Sequence, residues 1–288
     1  MNFTAADIES ILRTIEGEVK SYPTPTALLA KLSDDSEYGN GVKKNLTGWY
    51  GYYCQALSLM VRYFKPKNIL ELGNQLGVST MMMYYEMAPD ARMVTIDILK
   101  DQRFVPDEAL NDTRVRFCIG DALDLRTYGD KIPIDIDFLF TDTIHFYKQL
   151  KDEYSIYRHL LANRAIIVID DIYLNDKGKL FDELPLRKWD ISKFAHPSGF
   201  GVALYERPRT ERADPAHRVT MAALASADIW HREARCLEDC RLRVNIPGIK
   251  NDIKARLQRY PRINKVVREH IVPAARSIMK GFMGVKKG

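Results

Sequence analysis

Short apolar runs alternate with segments of helical periodicity through the middle of the chain. The apolar runs predict five strands, at 68–72, 92–97, 114–119, 135–141 and 165–170. Runs that are apolar at almost every position are typical of strands buried on both faces of a parallel sheet. Two more strands are predicted near 190–195 and 200–206, on either side of the turn signal His-Pro-Ser-Gly at 196–199. The pattern therefore predicts an α/β fold whose parallel sheet closes with a hairpin.

Helical segments precede this alternation. Apolar residues at positions 8, 11, 12, 15 and 19 predict a helix over 4–20, with Thr4 as its N-cap and Asp7 three residues later. A short helix is predicted after the Pro-Thr-Pro-Thr run at 23–26, and another helix over 52–64. The polar, glycine-containing residues 34–48 predict a loop.

The pattern changes again after Pro208. Residues 209–245 are charged and helix-prone, and residues 248–283 carry a rough apolar stripe that two prolines interrupt. We therefore divide the chain into an N-terminal helical or lid segment (1–49), a central α/β domain (50–208) and a basic, helical C-terminal segment (209–288).

Composition places this chain among globular proteins of a reducing compartment. The four cysteines among 288 residues are too few and too scattered for a disulfide framework. The N-terminus lacks the basic start and apolar core of a signal peptide, and no run of about 18 apolar residues is present. We expect a cytoplasmic protein, and the sequence leaves a homo-oligomer open.

Positive charge is concentrated at the C-terminus. The net charge is +5, yet residues 248–288 hold eleven Lys or Arg and two acids, which leaves −4 for the rest of the chain. A basic segment of this kind favours an anionic membrane surface, so a peripheral location is one expectation, and no nucleic acid is expected. The alternative is a solvated basic helix face.

The stretch from 69 to 80 reads Ile-Leu-Glu-Leu-Gly-Asn-Gln-Leu-Gly-Val-Ser-Thr. It predicts a strand that ends near an acid, a glycine turn and the start of a helix, which together form a nucleotide-type binding unit. The spacing is E-x-G-x-x-x-G, whereas a dinucleotide fold uses the tighter G-x-G-x-x-G. A carboxylate at the strand end suits a ligand with an amino group and hydroxyls, which indicates S-adenosylmethionine.

Three aspartates are predicted to meet at the same edge of the sheet. Asp142 follows the fourth strand, with His145 three residues later, and Asp170 and Asp171 end the fifth strand. Neighbouring carboxylates repel one another and raise at least one pKa, unless a divalent cation such as Mg²⁺ binds them. Histidine can accept a proton near neutral pH, which makes His145 a candidate base.

These residues carry a family resemblance. Residues 50–207 resemble class I methyltransferases, and most of all the metal-dependent O-methyltransferases, which include catechol and macrolide-sugar O-methyltransferases. The resemblance implies a Rossmann-like sheet of seven strands with helices on both faces and the last strand antiparallel. It implies helical additions at both ends, S-adenosylmethionine as methyl donor and Mg²⁺ or another divalent cation as cofactor.

The resemblance also assigns the site. Asp97 would accept the ribose hydroxyls, Asp121 and Ala122 would meet the adenine, and Ser79 would meet the methionine carboxylate. The full set of cofactor-binding residues is Glu71, Gly73, Asn74, Gln75, Gly77, Ser79, Asp97, Asp121, Ala122 and Asp142. The implied metal ligands are Asp142, Asp170 and Asp171. His145 would be the base, as in the sugar enzymes, whereas the catechol enzymes have lysine at this position and asparagine at that of Asp171.

The expected reaction is Mg²⁺-dependent methyl transfer to a hydroxyl of a sugar or another polyhydroxylated small molecule. A catechol or phenolic acceptor is the alternative within the family. Two alternatives belong to other classes: an NAD-dependent oxidoreductase, which the glycine spacing disfavours, and a non-catalytic interaction protein, which the intact acidic residues disfavour.

Two further clusters are weaker signals. The aromatic residues Trp49, Tyr50, Tyr52 and Tyr53 either line an acceptor pocket or pack in the core. His231, Cys236 and Cys240 could approach one another on a helix, but Cys-x-x-Cys spacing and a clear fourth ligand are missing, which disfavours zinc.

Overall fold

A computed structural model of the chain describes residues 3–35, 37–46, 48, 51–99, 101–125, 131–211 and 214–243. Side chains are not described at Asn45 or over 233–243. The chain divides into two units, Met1–Trp230 and His231–Gly288, and the second is described only up to Arg243, as part of a helix. Some residues that the sequence analysis named lie outside the described residues: Trp49, Tyr50, the cysteine side chains at 236 and 240, and the basic residues 248–288.

The first unit is built on a sheet of seven strands in the order β3-β2-β1-β4-β5-β7-β6. Strand β7 runs antiparallel to both of its neighbours, and the other pairs are parallel. The predicted fold is therefore confirmed. The strands are β1 (Asn68–Leu72), β2 (Arg92–Asp97), β3 (Val115–Ile119), β4 (Ile136–Thr141), β5 (Leu161–Asp170), β6 (Arg187–Asp190) and β7 (Phe200–Glu206).

Helices surround this sheet. They are α1 (Ala5–Glu18), α2 (Thr26–Asp34), α3 (Gly39–Leu46), α4 (Tyr53–Phe64), α5 (Val78–Tyr84), α6 (Asp107–Leu110), α7 (Tyr147–Tyr157), α8 (Gly178–Glu183) and α9 (Pro215–Arg243). Strand β4 is buried at every position, and large apolar clusters form from alternate strand residues together with the helices. The central strands are thus enclosed on both faces, as their unbroken apolar runs indicated.

The first helix begins at its predicted cap. The Thr4 hydroxyl accepts a hydrogen bond from the Asp7 backbone N–H, and the Asp7 carboxylate accepts one from the Thr4 backbone N–H. This reciprocal box satisfies two helix-end donors. The buried face of α1 carries Ile8, Leu12 and Ile15, which pack with α4 and the sheet.

The prediction of a loop over 34–48 is wrong, because α3 occupies much of it. Glycine and asparagine near the start of α3 have low helix propensity. The sequence pattern therefore did not indicate a helix here. Leu46 is buried with Leu28 and Leu32 of α2, and Val42 packs against the same cluster. Tertiary packing therefore stabilises a helix that local propensity does not favour.

Strand β6 ends earlier than predicted. The sequence placed it near 190–195, whereas it pairs with β7 only over Arg187–Asp190. The Asp190 carboxylate then accepts a hydrogen bond from the backbone N–H of Ser192, which bends the chain out of the strand. The predicted turn follows, and the Gly199 N–H donates to the His196 carbonyl at 3.0 Å.

The first part of α9 is attached to the sheet of the first unit. Arg218, Ala222, Ser226 and Ile229 recur at helical spacing and are all buried. The Arg218 guanidinium donates to the carbonyls of residues 159, 160 and 161 at 2.6–3.0 Å and to the Asp135 carboxylate at 2.6 Å. These groups lie where the chain enters β4 and β5, at the edge opposite the carboxyl ends of the strands.

Among the residues that the structure describes, no helix is both long and apolar enough to cross a membrane.

Candidate active site

The glycine turn lies at the carboxyl end of β1, where the strand order reverses between β2 and β4. Gly73 and Gly77 both have φ of +85°, a conformation that other residues adopt only with strain. A Cβ on Gly73 would lie 2.2 Å from the backbone carbonyl oxygen of Asp142. Glycine at this position therefore allows the β1 turn to approach the end of β4.

Glu71 lies beneath this turn. Its side chain is fully buried, and the hydroxyls of Ser79 and Thr80 donate to its two oxygens at 2.6 and 2.5 Å. Burial raises the pKa of Glu71 to about 7, against the effect of these hydrogen bonds. These two hydrogen bonds connect the first turn of α5 to β1.

Asp97, at the end of β2, holds the glycine turn from the other side. Its carboxylate accepts hydrogen bonds from the backbone N–H groups of Asn74, Gln75 and Leu99 at 2.7–2.9 Å. The turn is therefore fixed by carboxylates from two adjacent strands, β1 and β2.

The turn after β3 lies next to Asp97. The Gly120 N–H donates to the Asp97 carbonyl at 2.8 Å. The exposed Asp121 accepts from the Leu123 N–H at 2.9 Å, and the buried Ala122 accepts from the Tyr157 hydroxyl through its carbonyl. The structure thus brings Asp121 and Ala122 to the same edge of the sheet as Asp97.

A cleft of about 510 Å³, including space open to solvent, lies over the β1 turn. The cleft is lined by α3, α4, the turn, the start of α5 and the end of β4, through Val42, Leu46, Tyr53, Cys54, Gly73, Asn74, Gln75, Leu76, Val78, Ser79 and Asp142. Sequence reasoning missed the contribution of α3, because it predicted a loop there.

The three aspartates lie close together, as the strand order requires. Strands β4 and β5 are adjacent, with Thr141 paired to Ile169, so that Asp142 and the pair Asp170 and Asp171 follow neighbouring strand ends. The Asp142 N–H also donates to the Leu72 carbonyl at 2.8 Å, which ties the aspartate to β1.

His145 lies between two of these carboxylates. Its Nε2 is 3.0 Å from Asp171 Oδ2 and 3.6 Å from Asp142 Oδ1. Hydrogen bonds to Asp142 and Asp171 raise the pKa of His145 to about 9, although burial and the charge of Lys177 act in the opposite direction. Without a bound cation, this imidazole is protonated at neutral pH.

A second histidine, His196, completes the cluster, and sequence reasoning missed it. Its Nδ1 lies 3.3 Å from Asp170 Oδ1 and 3.2 Å from Asp171 Oδ1. The signal was present in the turn before β7: because β7 is antiparallel to β5, with Phe200 paired to Asp170, that turn lies beside the end of β5. The sequence was interpreted only as a turn.

The resulting cluster alternates acids and histidines. The order in space is Asp142, His145, Asp171, His196 and Asp170. Burial raises the pKa of Asp170 well above its usual range. Burial acts in the same direction on Asp171, but the adjacent His145 and His196 outweigh it and lower that pKa.

Two overlapping groups of donors could hold a metal ion. One comprises Asp142, His145 and Asp171, and the other comprises Asp170, Asp171 and His196, with donor atoms within 4.8 Å of one another in each. Asp171 belongs to both groups, whereas Asp142 and Asp170 fall in different ones. Carboxylate oxygen and imidazole nitrogen are both ordinary metal ligands, so the residues fit a divalent cation.

A buried lysine lies near this cluster. Lys177 is fully buried, and within the described part of the chain its ammonium has no hydrogen-bond partner. Its charge lowers the pKa values of Asp170, His145 and Glu153. Glu153 is itself buried and accepts a hydrogen bond from the hydroxyl of Thr141, the residue before Asp142. The positive charge of Lys177 therefore offsets part of the negative charge of the acid and histidine cluster.

A protein-family model matches the part of the chain that carries most of these residues. Residues 70–172 match the model described as a methyltransferase domain. This part of the chain is a methyltransferase domain. The match covers just over a third of the chain and contains the glycine turn, His145 and all three aspartates, so the resemblance to class I S-adenosylmethionine-dependent methyltransferases is confirmed. His196 lies outside the matched residues.

The fold is similar to that of a solved methyltransferase, and two solved O-methyltransferases also resemble the chain. A methyltransferase from Geobacter sulfurreducens is 18% identical, with a TM-score of 0.50 over 71% of this chain and 98% of that one. An O-methyltransferase from Bacillus cereus in complex with SAH is 19% identical, with a TM-score of 0.49 over 68% and 97%. The O-methyltransferase TomG from Streptomyces achromogenes is 20% identical, with a TM-score of 0.48 over 67% and 96%. No curated protein matched the sequence.

Proposed function

We propose that this methyltransferase transfers a methyl group from S-adenosylmethionine to a hydroxyl of a sugar or another polyhydroxylated small molecule, with Mg²⁺ or another divalent cation as cofactor. The observation that carries the proposal is the position of Asp142. Its side chain belongs to the acid and histidine cluster, while the residue also lines the cleft over the glycine turn. A cofactor in the cleft and an acceptor at the cluster would therefore meet at this residue.

The binding of S-adenosylmethionine is supported by the cleft. Asn74 and Ser79 are buried residues of the cleft wall, and the carbonyl group of the Asn74 amide has no hydrogen-bond partner within the described structure. A buried acceptor without a partner is unfavourable, and the amino group of the cofactor could donate to it. Asp97 and Asp121 would contact the ribose and the adenine from the neighbouring strand ends.

His145 is the proposed base. The reaction breaks the bond between the sulfonium sulfur and the methyl group and forms an oxygen–methyl bond, so the hydroxyl proton must be accepted. When bound, the cation would polarise the acceptor hydroxyl and, through its positive charge, favour the neutral imidazole of His145. His145 Nε2 could then accept the proton. Asp142 and Asp171, whose carboxylates face Nε2 without a cation, would instead hold the cation.

Two residues support the proposed acceptor class. Asp171 stands where the catechol enzymes have asparagine, and His145 stands where they have lysine. The additional negative charge would bind a cation more tightly and suit an acceptor hydroxyl less acidic than a phenol. Two adjacent hydroxyls could chelate the ion, which favours a vicinal diol.

The N-terminal residues 1–49 are proposed to cover the site. Val42 and Leu46 of α3 line the cleft, so this segment contributes to the wall that an acceptor would meet. The division into this lid, the domain at 50–208 and the accessory segment at 209–288 remains our proposal.

Calorimetric titration tests the methyl-donor site and the base together. We expect S-adenosylmethionine to bind the purified chain at one site, and His145→Ala to keep this binding while losing at least about 10²-fold in turnover of a diol acceptor. The matched control is His217→Ala on α9, which should keep both. Unchanged turnover in His145→Ala would remove this residue from the mechanism.

Parallel titrations separate the other functions. Binding of NADH without binding of S-adenosylmethionine would indicate an oxidoreductase. Binding of neither would overturn the methyl-transfer proposal and favour the interaction protein. Titration of Mg²⁺ into protein that EDTA has freed of metal shows whether the chain binds a cation.

For residues 248–288, we propose contact with an anionic membrane surface, on the basis of their net charge of +9. Co-sedimentation with phosphatidylserine vesicles should fall when these residues are deleted and when salt is raised. Equal amounts of the full and shortened chains in the vesicle pellet would contradict this proposal.

A further inference from the structure

The donor group at the end of β5 differs from an all-oxygen magnesium site. Asp170 is 3% exposed, Asp171 is 7% exposed and His196 is 6% exposed, so three metal-binding side chains converge in a buried place. One of them offers nitrogen. Asp171 Oδ1 makes no hydrogen bond in the described structure although it is buried.

The separations of these donors suit one ion. Metal–ligand bonds of about 2.0–2.2 Å place two donors at tetrahedral or octahedral angles about 2.9–3.5 Å apart. His196 Nδ1 lies 3.3 Å from Asp170 Oδ1 and 3.2 Å from Asp171 Oδ1. The donor atoms of the three side chains all lie within 4.8 Å of one another, so an ion could be bound between them.

The histidine is also held in place. The ring of Tyr53 packs edge-on against the His196 ring with centroids 4.9 Å apart. The backbone N–H of Tyr52 donates to the Ala195 carbonyl at 2.6 Å, which fixes the residue before the histidine. A ligand whose orientation is set before binding loses little entropy when the ion arrives.

We propose that His196 is a nitrogen ligand of the metal centre, and that Asp170, Asp171 and His196 select a first-row transition ion such as Mn²⁺ or Co²⁺ over Mg²⁺. The proposal rests on the cation dependence of the proposed function. Mg²⁺ prefers oxygen ligands and retains several waters, whereas imidazole binds the later divalent ions well.

This assignment gives the two histidines separate roles. Asp171 faces His196 through Oδ1 and His145 through Oδ2, which is 3.0 Å from Nε2. An ion bound on the His196 side does not use His145 as a ligand, so Nε2 of His145 could accept the acceptor proton once its hydrogen bond to Asp171 Oδ2 is broken. His196 acts on the ion, and His145 acts on the substrate.

Spectroscopy of the wild-type chain tests the ligand directly. With Mn²⁺ bound at one equivalent, pulsed electron paramagnetic resonance should detect coupling to a ¹⁴N nucleus. Calorimetry in competition should give at least about tenfold tighter binding of Co²⁺ than of Mg²⁺. Bound Mn²⁺ without nitrogen coupling, or equal affinities for Co²⁺ and Mg²⁺, would overturn the proposal.

Substitution identifies which histidine is responsible. His196→Gln should weaken Co²⁺ binding by at least about tenfold, change Mg²⁺ binding much less and abolish the nitrogen coupling. His217→Gln is the matched control and should behave as wild type. Retained coupling in a folded His196→Gln variant would assign the nitrogen to His145 and contradict the proposal.

Failure here is distinguishable from failure of the methyl-transfer proposal. Titration of S-adenosylmethionine into metal-free protein reports the methyl-donor site alone. Normal binding of this cofactor with no binding of Mn²⁺, Co²⁺ or Mg²⁺ would overturn the metal centre and leave the donor site intact.

Discussion

Asp171 adopts a left-handed backbone conformation, with φ of 57°, at the centre of the acid and histidine cluster. Aspartate tolerates this region better than most residues, but at some cost in free energy. The twist follows directly after β5 and lets Asp170 and Asp171, which are adjacent in sequence, both face His196. Strain at this position is thus tied to the convergence of the donors.

Glu71 makes stability depend on pH. Its folded pKa of about 7 lies above the ordinary value of 4.5, so the folded state holds a proton that the unfolded state has released. Stability therefore falls as pH rises from about 4.5 to about 7, by roughly 3 kcal/mol, and changes little from this cause above that window.

The variant Glu71→Gln should remove this slope. We expect the free energy of unfolding, measured with urea between pH 4.5 and 8, to decline less with pH than in the wild type. Glu37→Gln, at an exposed glutamate, is the control and should keep the wild-type slope. Parallel curves for Glu71→Gln and the wild type would contradict the assignment.

At this scale the sequence predicted the residues that follow strand ends and missed those that come from elsewhere. Asp142 and Asp170 were predictable because parallel strands end at one edge of a sheet. His196 was not, since it depends on the register of an antiparallel hairpin. Lys177 was not either, because a lysine next to a short helix usually faces solvent, and only the packing shows that it is buried.

At the scale of elements, the β1 turn is the most constrained. Gly73→Ala would force a Cβ into the Asp142 carbonyl in a backbone conformation that costs alanine about 1–2 kcal/mol before any clash. We expect a lower melting temperature and loss of S-adenosylmethionine binding. Calorimetry and thermal denaturation of the purified variant measure both.

Gly17→Ala in α1 is the matched control. A Cβ at Gly17 meets no atom within 4 Å, and alanine is a better helix former than glycine. We expect unchanged cofactor binding and stability equal to or up to about 1 kcal/mol above that of the wild type. Equal behaviour of the two variants would mean that the turn does not require glycine.

Elements with strong periodicity or caps were predicted well, and those made by tertiary contact were not. The capping box of Thr4 and the apolar run of β1 specify their structures locally. Helix α3 was missed because its stability comes from packing against α2. The bend after β6 depends on one side chain, Asp190, which accepts a hydrogen bond from the backbone. A pattern of apolar residues does not predict such a hydrogen bond.

At the scale of the whole molecule, the candidate active site and the contacts that attach α9 lie at opposite edges of the sheet. The carboxyl ends of its strands carry the cleft and the acid and histidine cluster. The opposite edge carries the contacts of Arg218, whose side chain is almost fully buried. The proposed catalytic residues and the attachment of α9 therefore lie at different edges and can be altered separately.

A shortened chain tests how far the folding unit extends. A fragment of residues 1–230 should unfold at a urea concentration close to that of the full chain. A fragment of residues 1–208 should lose at least about 3 kcal/mol, because buried carbonyls lose their cationic donor and the packing of Ala222 and Ile229 is removed. Equal midpoints would show that α9 is dispensable for stability.

The Arg218 contacts also bear on how the protein is best produced. The segment that matches the methyltransferase family ends at residue 172, well before β7 and before α9. A gene trimmed to that segment would encode a sheet with the entrances of β4 and β5 uncovered and the antiparallel partner of β5 missing. Its expected product in an expression host is inclusion bodies rather than a minimal enzyme.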